Sequence, residues 1–323
     1  MKDSLGAISL LLLLGCSAAP AARHEKPQSE AIHPLIGNEI GLDHALLWSS
    51  DNLAAEKRLE QLGFTLSQKA GSYGAGISNK FVWFKNRSFI EFLWLSDPAK
   101  TKVEAPKEYA FVTSYGGSNA FGVSVADADQ TYVELNKAGL EPEKPGAEAW
   151  DPDGPDGPKK PIVNEWRFMF LKEGSLPGNP FFVQYTLSAD APVTKTHPNG
   201  AQKLSAVWVV VRDLKRAKAK YQRAQFVEAS SFTSLGAKAV SLSAGQGEIF
   251  LVQPEKDGAF SASLKARGDH VHGISVQVAD LDLTAKLLKQ QFNGIMSTSA
   301  GRFGRSIVVP AQPPLGVMIE FHD

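Results

Sequence analysis

From residue 41 onward, apolar positions fall into short alternating runs, each followed by a stretch with helical spacing. "GLDHALLWSS" (41–50) is the first. As a strand it puts His44, Leu46 and Trp48 on one face, because successive side chains point to opposite sides. "SSDNLAAEKRLEQLGF" then predicts a helix with Asp51 as cap, Leu53, Leu59 and Leu62 on one side and Gly63 as stop. Two further strand-like runs, "NKFVWFKN" and "SFIEFLWL", are divided by a tight polar break. The order of strand, helix and further strands recurs. "NAFGVSVADADQTYVELNKAGL" begins at Asn119, with Tyr132 and Leu135 on a helix closed by Gly139. "SAVWVVVRDLKRAKAKYQRAQF" begins at Ser205, with Leu214, Ala217 and Tyr221 at helical spacing. "HGISVQVADLDLTAKLLKQQF" begins at His272, with Leu281, Ala285 and Leu288 as its stripe. Each helix opens at or beside an aspartate: Asp51, Asp127, Asp213 and Asp280. The strand residue precedes the first small apolar helix residue by nine positions in every case: His44 to Leu53, Asn119 to Ala128, Ser205 to Leu214, His272 to Leu281. Four matching spacings predict an internal repeat. The later units end in the strand-like runs "PFFVQYT", "GEIFLVQ" and "GVMIEFH".

Within that pattern, His44 raises a chemical question. A titratable ring on the apolar side of a strand is a core histidine bonded to Asp43 or a backbone carbonyl, or it is a metal ligand or general base facing an enclosed cavity. Glu91 in "FIEF" likewise interrupts an apolar alternation. A buried carboxylate needs a partner, which His44 or a metal would supply. "HVH" (His270, His272) and "EFH" (Glu320, His322) each place two ligand types on one strand face, although His322 stands next to a chain end, where fraying is usual.

Length and composition narrow the picture. At 323 residues the chain can hold two domains with real cores. Lys+Arg and Asp+Glu are both 34, so no net field attracts nucleic acid or anionic lipid. There is no phosphate loop, dinucleotide fingerprint or serine nucleophile elbow. "DPDGPDGP" (151–158) has Pro155 where a calcium loop needs an oxygen ligand, so a solvated insertion is expected. "MKDSLGAISLLLLLGC" reads as a signal-peptide core, too short to span a bilayer. Cys16 is the single cysteine; past it there is no thiol for a disulfide or a nucleophile. Residues 17–38, small, polar and proline-dotted, read as a flexible tether in which His24 and His33 are solvated.

Four strand–helix–strand–strand–strand units resemble the vicinal oxygen chelate superfamily, which includes glyoxalase I, bleomycin-resistance proteins and extradiol dioxygenases. The first half is most similar to the glyoxalase-like domain family, through "LDHALLW", "NKFVWF", "FIEFL", "EWRFMFL" and "PFFVQYT". The resemblance implies an α+β chain of four βαβββ modules, paired into two vicinal-oxygen-chelate-type domains with curved mixed sheets that form open cups. The domains would be 39–190 and a degenerate 200–323. By the same resemblance, the first and last strands of a module each give one metal ligand. That assigns His44 and Glu91 from the first module, with Asn119 and Gln184 from the second, to a divalent zinc, iron, nickel or manganese ion. His272 and Glu320 form a weaker second set, since Ser205 and Phe250 stand at the third module's positions. Glu91 and His44 would be catalytic, and Asn79, Trp166 and Arg167 would touch a small-molecule substrate. The Arg167 guanidinium suits a carboxylate or phosphate, or else lies in water on an edge strand; Arg302 and Arg305 carry the same two readings for the second cup. The implied activities are a metal-dependent lyase, isomerase or dioxygenase, or a non-catalytic binding protein of the bleomycin-resistance type. "LLGC" resembles the bacterial lipobox, which implies lipidation of Cys16; Ser17 after it implies the periplasmic face of the outer membrane.

Overall fold

The first repeat unit holds β1 (Leu42–Ser49), α1 (Asn52–Gln61), β2 (Gly71–Gly74), β3 (Ile77–Trp83) and β4 (Phe89–Leu95). Two helices, α2 (Pro98–Glu104) and α3 (Pro106–Ser114), lead to the second unit. That unit holds β5 (Phe121–Ser124), α4 (Ala128–Lys137), β6 (Gly146–Trp150), β7 (Asn164–Met169) and β8 (Pro180–Tyr185). The third holds β9 (Ala201–Val210), α5 (Leu214–Arg223), β10 (Glu228–Ser234), β11 (Ala237–Ala244) and β12 (Gly247–Pro254). After α6 (Ala259–Arg267) the fourth holds β13 (His270–Val278), α7 (Leu281–Gln291), β14 (Ser297–Gly301), β15 (Gly304–Val309) and β16 (Met318–His322). This computed structural model describes residues 41–150, 164–185 and 196–323; the expected leader and tether, with Cys16, and "DPDGPDGP" lie outside them.

The four repeat aspartates start the four helices by one mechanism. Asp51, Asp127, Asp213 and Asp280 accept a hydrogen bond from the backbone N–H of Ala54, Gln130, Arg216 and Leu283. Each thereby satisfies an amide that the helix leaves without a partner. The predicted stripe of the first helix is off by one member: Leu53 is 75% exposed, while Ala55, Leu59 and Leu62 are buried. Residues 55, 59 and 62 share a face at helical period, and Leu53, two positions before Ala55, points away.

The strands form two eight-stranded sheets, ordered β2-β3-β4-β1-β5-β8-β7-β6 and β10-β11-β12-β9-β13-β16-β15-β14. In every unit the first strand pairs in parallel with the last. Units join through the antiparallel pairs β1·β5 and β9·β13. One face of each sheet carries the helices. There Leu47, Phe92, Phe121 and Phe182 of the first sheet meet Val207, Leu251, Ile319 and Phe321 of the second in a shared core, with Leu59 of α1 and Leu135 of α4.

The opposite faces are the two cups, and they differ. The second is filled: Trp208, Phe250 and Val252 pack with Phe260 of α6, together with Phe232 and Phe303. In the first, α3 covers only one end, with Val112 on Trp48, Ile77 and Leu93. Leu46, Phe81, Trp83, Trp166 and Phe168 along the rest stay partly exposed. His322 does not fray. It is 3% exposed, bonded through Nε2 to the Ser205 hydroxyl at 2.8 Å and stacked on Phe303 at 4.0 Å.

Candidate functional site

A local irregularity in β1 creates the first site. Against β5, Leu42 pairs with Val123 and His44 with Gly122, so Asp43 is an extra residue in the strand. Neighbours in a regular strand face opposite ways; the bulge re-aims Asp43 beside the ring that follows it. His44 Nδ1 donates to Asp43 Oδ1 at 2.6 Å, and the Tyr185 hydroxyl donates to the same oxygen at 2.7 Å. On the ring's other edge, Nε2 lies 3.7 Å from Glu91 Oε2, beyond hydrogen-bond range. Glu91 Oε1 accepts from the Tyr73 hydroxyl at 2.5 Å and from Asn79 Nδ2 at 2.8 Å. Asp43, His44, Asn79 and Glu91 are all buried.

Aromatic rings enclose this polar chain. His44 stacks on Phe89 at 4.3 Å and meets the edge of Phe181 at 5.1 Å. The arc continues from Phe89 to Trp83 and from Phe181 to Phe170. Gly122 lies against the ring's third side, where a Cβ would fall 2.5 Å from His44 Cε1. Tyr185 has an exposed flank, but its hydroxyl end is enclosed. That burial, followed by the nearby Asp43 charge, raises the phenol well above its ordinary value, so it stays a neutral donor. Two acceptors in the cluster, Asp43 Oδ2 and Asn79 Oδ1, are buried without a hydrogen-bond partner.

His44, Glu91 and Asn79 are thus brought together; Asn119 and Gln184 are not. In the first unit His44 pairs with Phe89, two residues before Glu91; in the second, Gly122 pairs with Phe181, two residues before Val183. Gly122 and Val183 therefore occupy the positions where the second module would supply ligands, and neither has a donor atom in its side chain. Asn119 precedes β5 and accepts from the Trp48 indole at 2.9 Å. Gln184 alternates to the helix side, where its Oε1 accepts from Ala128 N at the start of α4. Gln253 repeats that capping bond at Leu214 N of α5. Counting along the chain cannot see this, because bulges and loop lengths shift the count while cross-strand register does not.

The remaining donors do not fit a bound divalent ion. A protein-held ion of this kind takes three or four protein donors. Asp43 engages Nδ1 and Glu91 faces Nε2, so the two carboxylates sit on opposite edges of one imidazole and cannot converge with it. Among the described residues no three His, Cys, Asp or Glu side chains are placed to hold a metal.

Arg167 also faces away from the cup. It makes a two-pronged pair with Asp129 of α4 at 2.6 and 2.7 Å, and this bond holds the Asp129 carboxyl below its usual value. Arg305 and Asp282 form the corresponding pair in the fourth unit, through one hydrogen bond at 2.8 Å. Trp166, by contrast, is on the cup face, packed with Phe181 and Val183.

In the second cup, Glu320 pairs by register with Ser275, two residues after Gly273, so Gly273 and not His272 matches His44. His272 is the bulged residue of β13 and turns to α6, where its Nδ1 meets Ser263 Oγ at 2.9 Å. Glu320 is held by the Ser275 hydroxyl at 2.5 Å, and burial raises its pKa. His272 and Glu320 are thus engaged by different partners, Ser263 and Ser275, so the predicted second set is dispersed. Arg302 is engaged by Glu248 at 2.8 Å. Tyr73 and Tyr185 escaped the sequence reading. The alternation Phe181, Val183, Tyr185 was the signal for the second; nothing marked the first.

The family model described as "Glyoxalase-like domain" matches residues 42–225. No curated protein matches the chain. Among solved structures, a variant of 4-hydroxymandelate synthase from Streptomyces coelicolor is 13% identical with a TM-score of 0.60, covering 88% of this chain and 92% of its own. A halotolerant catechol dioxygenase is 13% identical with a TM-score of 0.55, over 88% of this chain and 87% of its own. A hypothetical protein from Staphylococcus aureus is 13% identical with a TM-score of 0.55, over 87% of this chain and 98% of its own. At such identity these share the fold.

Proposed function

The chain belongs to the glyoxalase-like domain family, and from that footing we propose that its first cup is a small-molecule site in which His44 exchanges a proton with the ligand. One observation carries this reading. Asp43 fixes the imidazole through Nδ1, while Nε2 has no hydrogen bond among the described residues and faces the cup beside Glu91. A ring oriented by a buried carboxylate, with its other nitrogen uncommitted, is arranged for general acid–base work. Asp43 sets the tautomer, the stacked Phe89 and Phe181 hold the ring and exclude water, and Tyr185 steadies Asp43. The absence of donors at Gly122 and Val183 favours a second reading, a binding protein without turnover.

Ligand-observed NMR of the full chain against a small-molecule panel tests the proposal, together with metal analysis of the purified protein. Compounds should bind without added metal, lose binding in His44→Ala and keep it in His272→Ala. Binding indifferent to His44→Ala would sink the reading. So would stoichiometric metal that is lost in both His44→Ala and Glu91→Ala, and that result would restore the metal-centred chemistry of the wider superfamily. Turnover of any bound compound separates the enzyme from the binding protein.

The reading includes a lipid anchor at Cys16, on the periplasmic side of the outer membrane, supported by "LLGC" and by the absence of any other cysteine. The wild type should incorporate labelled palmitate and sediment with membranes, and Cys16→Ser should do neither. An unlabelled wild type, or a Cys16→Ser variant still in the membrane fraction, rules the anchor out.

A further inference from the structure

The two carboxylates that frame His44 also restrict what the cup can hold. Asp43 and Glu91 are buried, and the described residues on the cup face of β1, β3, β4, β5, β7 and β8 include no lysine or arginine. The guanidinium that the sequence offered to an anion in the first cup, Arg167, is spent on Asp129 on the other side of the sheet. An anionic ligand would meet two carboxyl groups and, among the described residues of that face, no cation to balance it.

The unpaired atoms point the same way. Asp43 Oδ2 and Asn79 Oδ1 are acceptors only, in side chains at least nine-tenths buried, and neither has a partner among the described residues. A buried acceptor without a donor is costly, so the site is short of hydrogen-bond donors and not of acceptors. Around this polar centre lie the rings of Phe89, Trp83, Phe81 and Phe181, an aromatic lining that favours a flat ring or a cation.

We propose that the first cup selects a protonated amine attached to an aromatic or apolar body. The ammonium would supply N–H donors and positive charge on the Nε2 edge of His44, to Glu91 and the Asn79 carbonyl, with Asp43 acting through the ring between them, and the body would lie along the aromatic arc. This rests on the first cup being the small-molecule site and adds the ligand's charge and donor character.

The test is a matched series on the unaltered full chain at neutral pH: benzylamine, benzyl alcohol, benzoate and benzyltrimethylammonium, with binding followed by calorimetry and by the ring resonances of His44. Benzylamine should bind best, with roughly tenfold or greater preference over the alcohol, the effect of one charge-assisted hydrogen bond. Benzoate should not bind. The quaternary ammonium, which has charge but no N–H, should fall well below benzylamine. Glu91→Gln should weaken benzylamine by a similar factor, so that its preference over benzyl alcohol is lost. Because the ligand series needs no variant, it decides even where a substitution impairs folding. Benzyl alcohol or benzoate binding as well as benzylamine while shifting His44 would overturn the charge assignment and leave the small-molecule site standing. Benzylamine binding that leaves the His44 resonances unmoved would overturn both. An absence of binding by the whole series overturns the proposal alone.

Discussion

Gly122→Ala is expected to silence the first cup and to lower stability by about 1–3 kcal/mol, the usual cost of forcing an extra methyl into a packed site. The backbone is not the obstacle, since Gly122 has no left-handed φ. The obstacle is the ring opposite it. A Cβ at 122 would lie 2.5 Å from His44 Cε1 and 2.6 Å from Nδ1. Carbon atoms pack comfortably at about 3.5–4.0 Å, so the ring must move by a large fraction of an ångström or more. It has no easy direction in which to move. Nδ1 is held by Asp43 at 2.6 Å, Phe89 stacks on one face at 4.3 Å and Phe181 closes an edge at 5.1 Å. Displacing the ring breaks the bond to Asp43, and a buried carboxylate oxygen then depends on Tyr185 alone. Three readouts should change together: the Nδ1 proton resonance of His44 disappears, the urea midpoint falls, and ligands that bind the wild type no longer do. The double variant Gly122→Ala with His44→Ala should regain stability over Gly122→Ala, because the methyl then has room. A Gly122→Ala protein with an intact His44 resonance and a wild-type midpoint would show that the ring is not confined as described.

Gly122 also marks where sequence reasoning stops. The repeat was legible because its signals are local: an aspartate before each helix, a helical stripe after it, and alternating strands around it. All four aspartates cap their helices as that pattern requires. The convergence of His44 and Glu91 was legible too, since parallel first and last strands of one unit bring both to a shared face. The partners from the second unit were not. Asn119 and Gln184 fit a count along the chain, but the hydrogen-bond register puts Gly122 and Val183 across from the first unit's pair. Period two alone would have placed Gln184 opposite in facing to Val183 and Tyr185. Two bulges, at Asp43 and His272, shift the count by one and decide which neighbour enters each cup. A bulge depends on the partner strand, and no pattern in one strand announces it.

Acid should weaken the second half far more than any single substitution considered above. His270, His272 and His322 are buried, and burial is the main reason each has its pKa pushed down to about 4. The Arg267 charge adds to this at His270 and His272, and Lys203 adds to it at His322. Their hydrogen bonds explain how the neutral rings are accommodated. Ser263 Oγ lies 2.6 Å from His270 Nε2 and 2.9 Å from His272 Nδ1, and His322 Nε2 meets Ser205 Oγ at 2.8 Å. The sign follows from linkage. In the unfolded chain these rings take up protons below about pH 6.5, while the folded protein refuses them until about pH 4. Stability is therefore full above 6.5, falls between 6.5 and 4, and levels off below. At 1.36 kcal/mol per unit, one such histidine is worth about 3 kcal/mol across the window, a large share of a domain's 5–15 kcal/mol. His270 and His272 share Ser263 and repel when charged, so they titrate as a pair and their contributions do not simply add. Glu320 works against the trend, since burial raises its pKa and its cost is relieved as pH falls. Asp129 and Asp282, lowered by their arginine partners, lose their contribution only below the ordinary carboxylate range, outside this window. Urea midpoints at pH 7.5, 5.5 and 4.5 should drop steeply, and His322→Gln, which cannot titrate, should flatten the decline. The ring protons of His322 in the folded protein should titrate near 4. Midpoints that stay level from pH 7 to 4.5, or a folded His322 that titrates above 6, would mean that these rings accept protons where they sit.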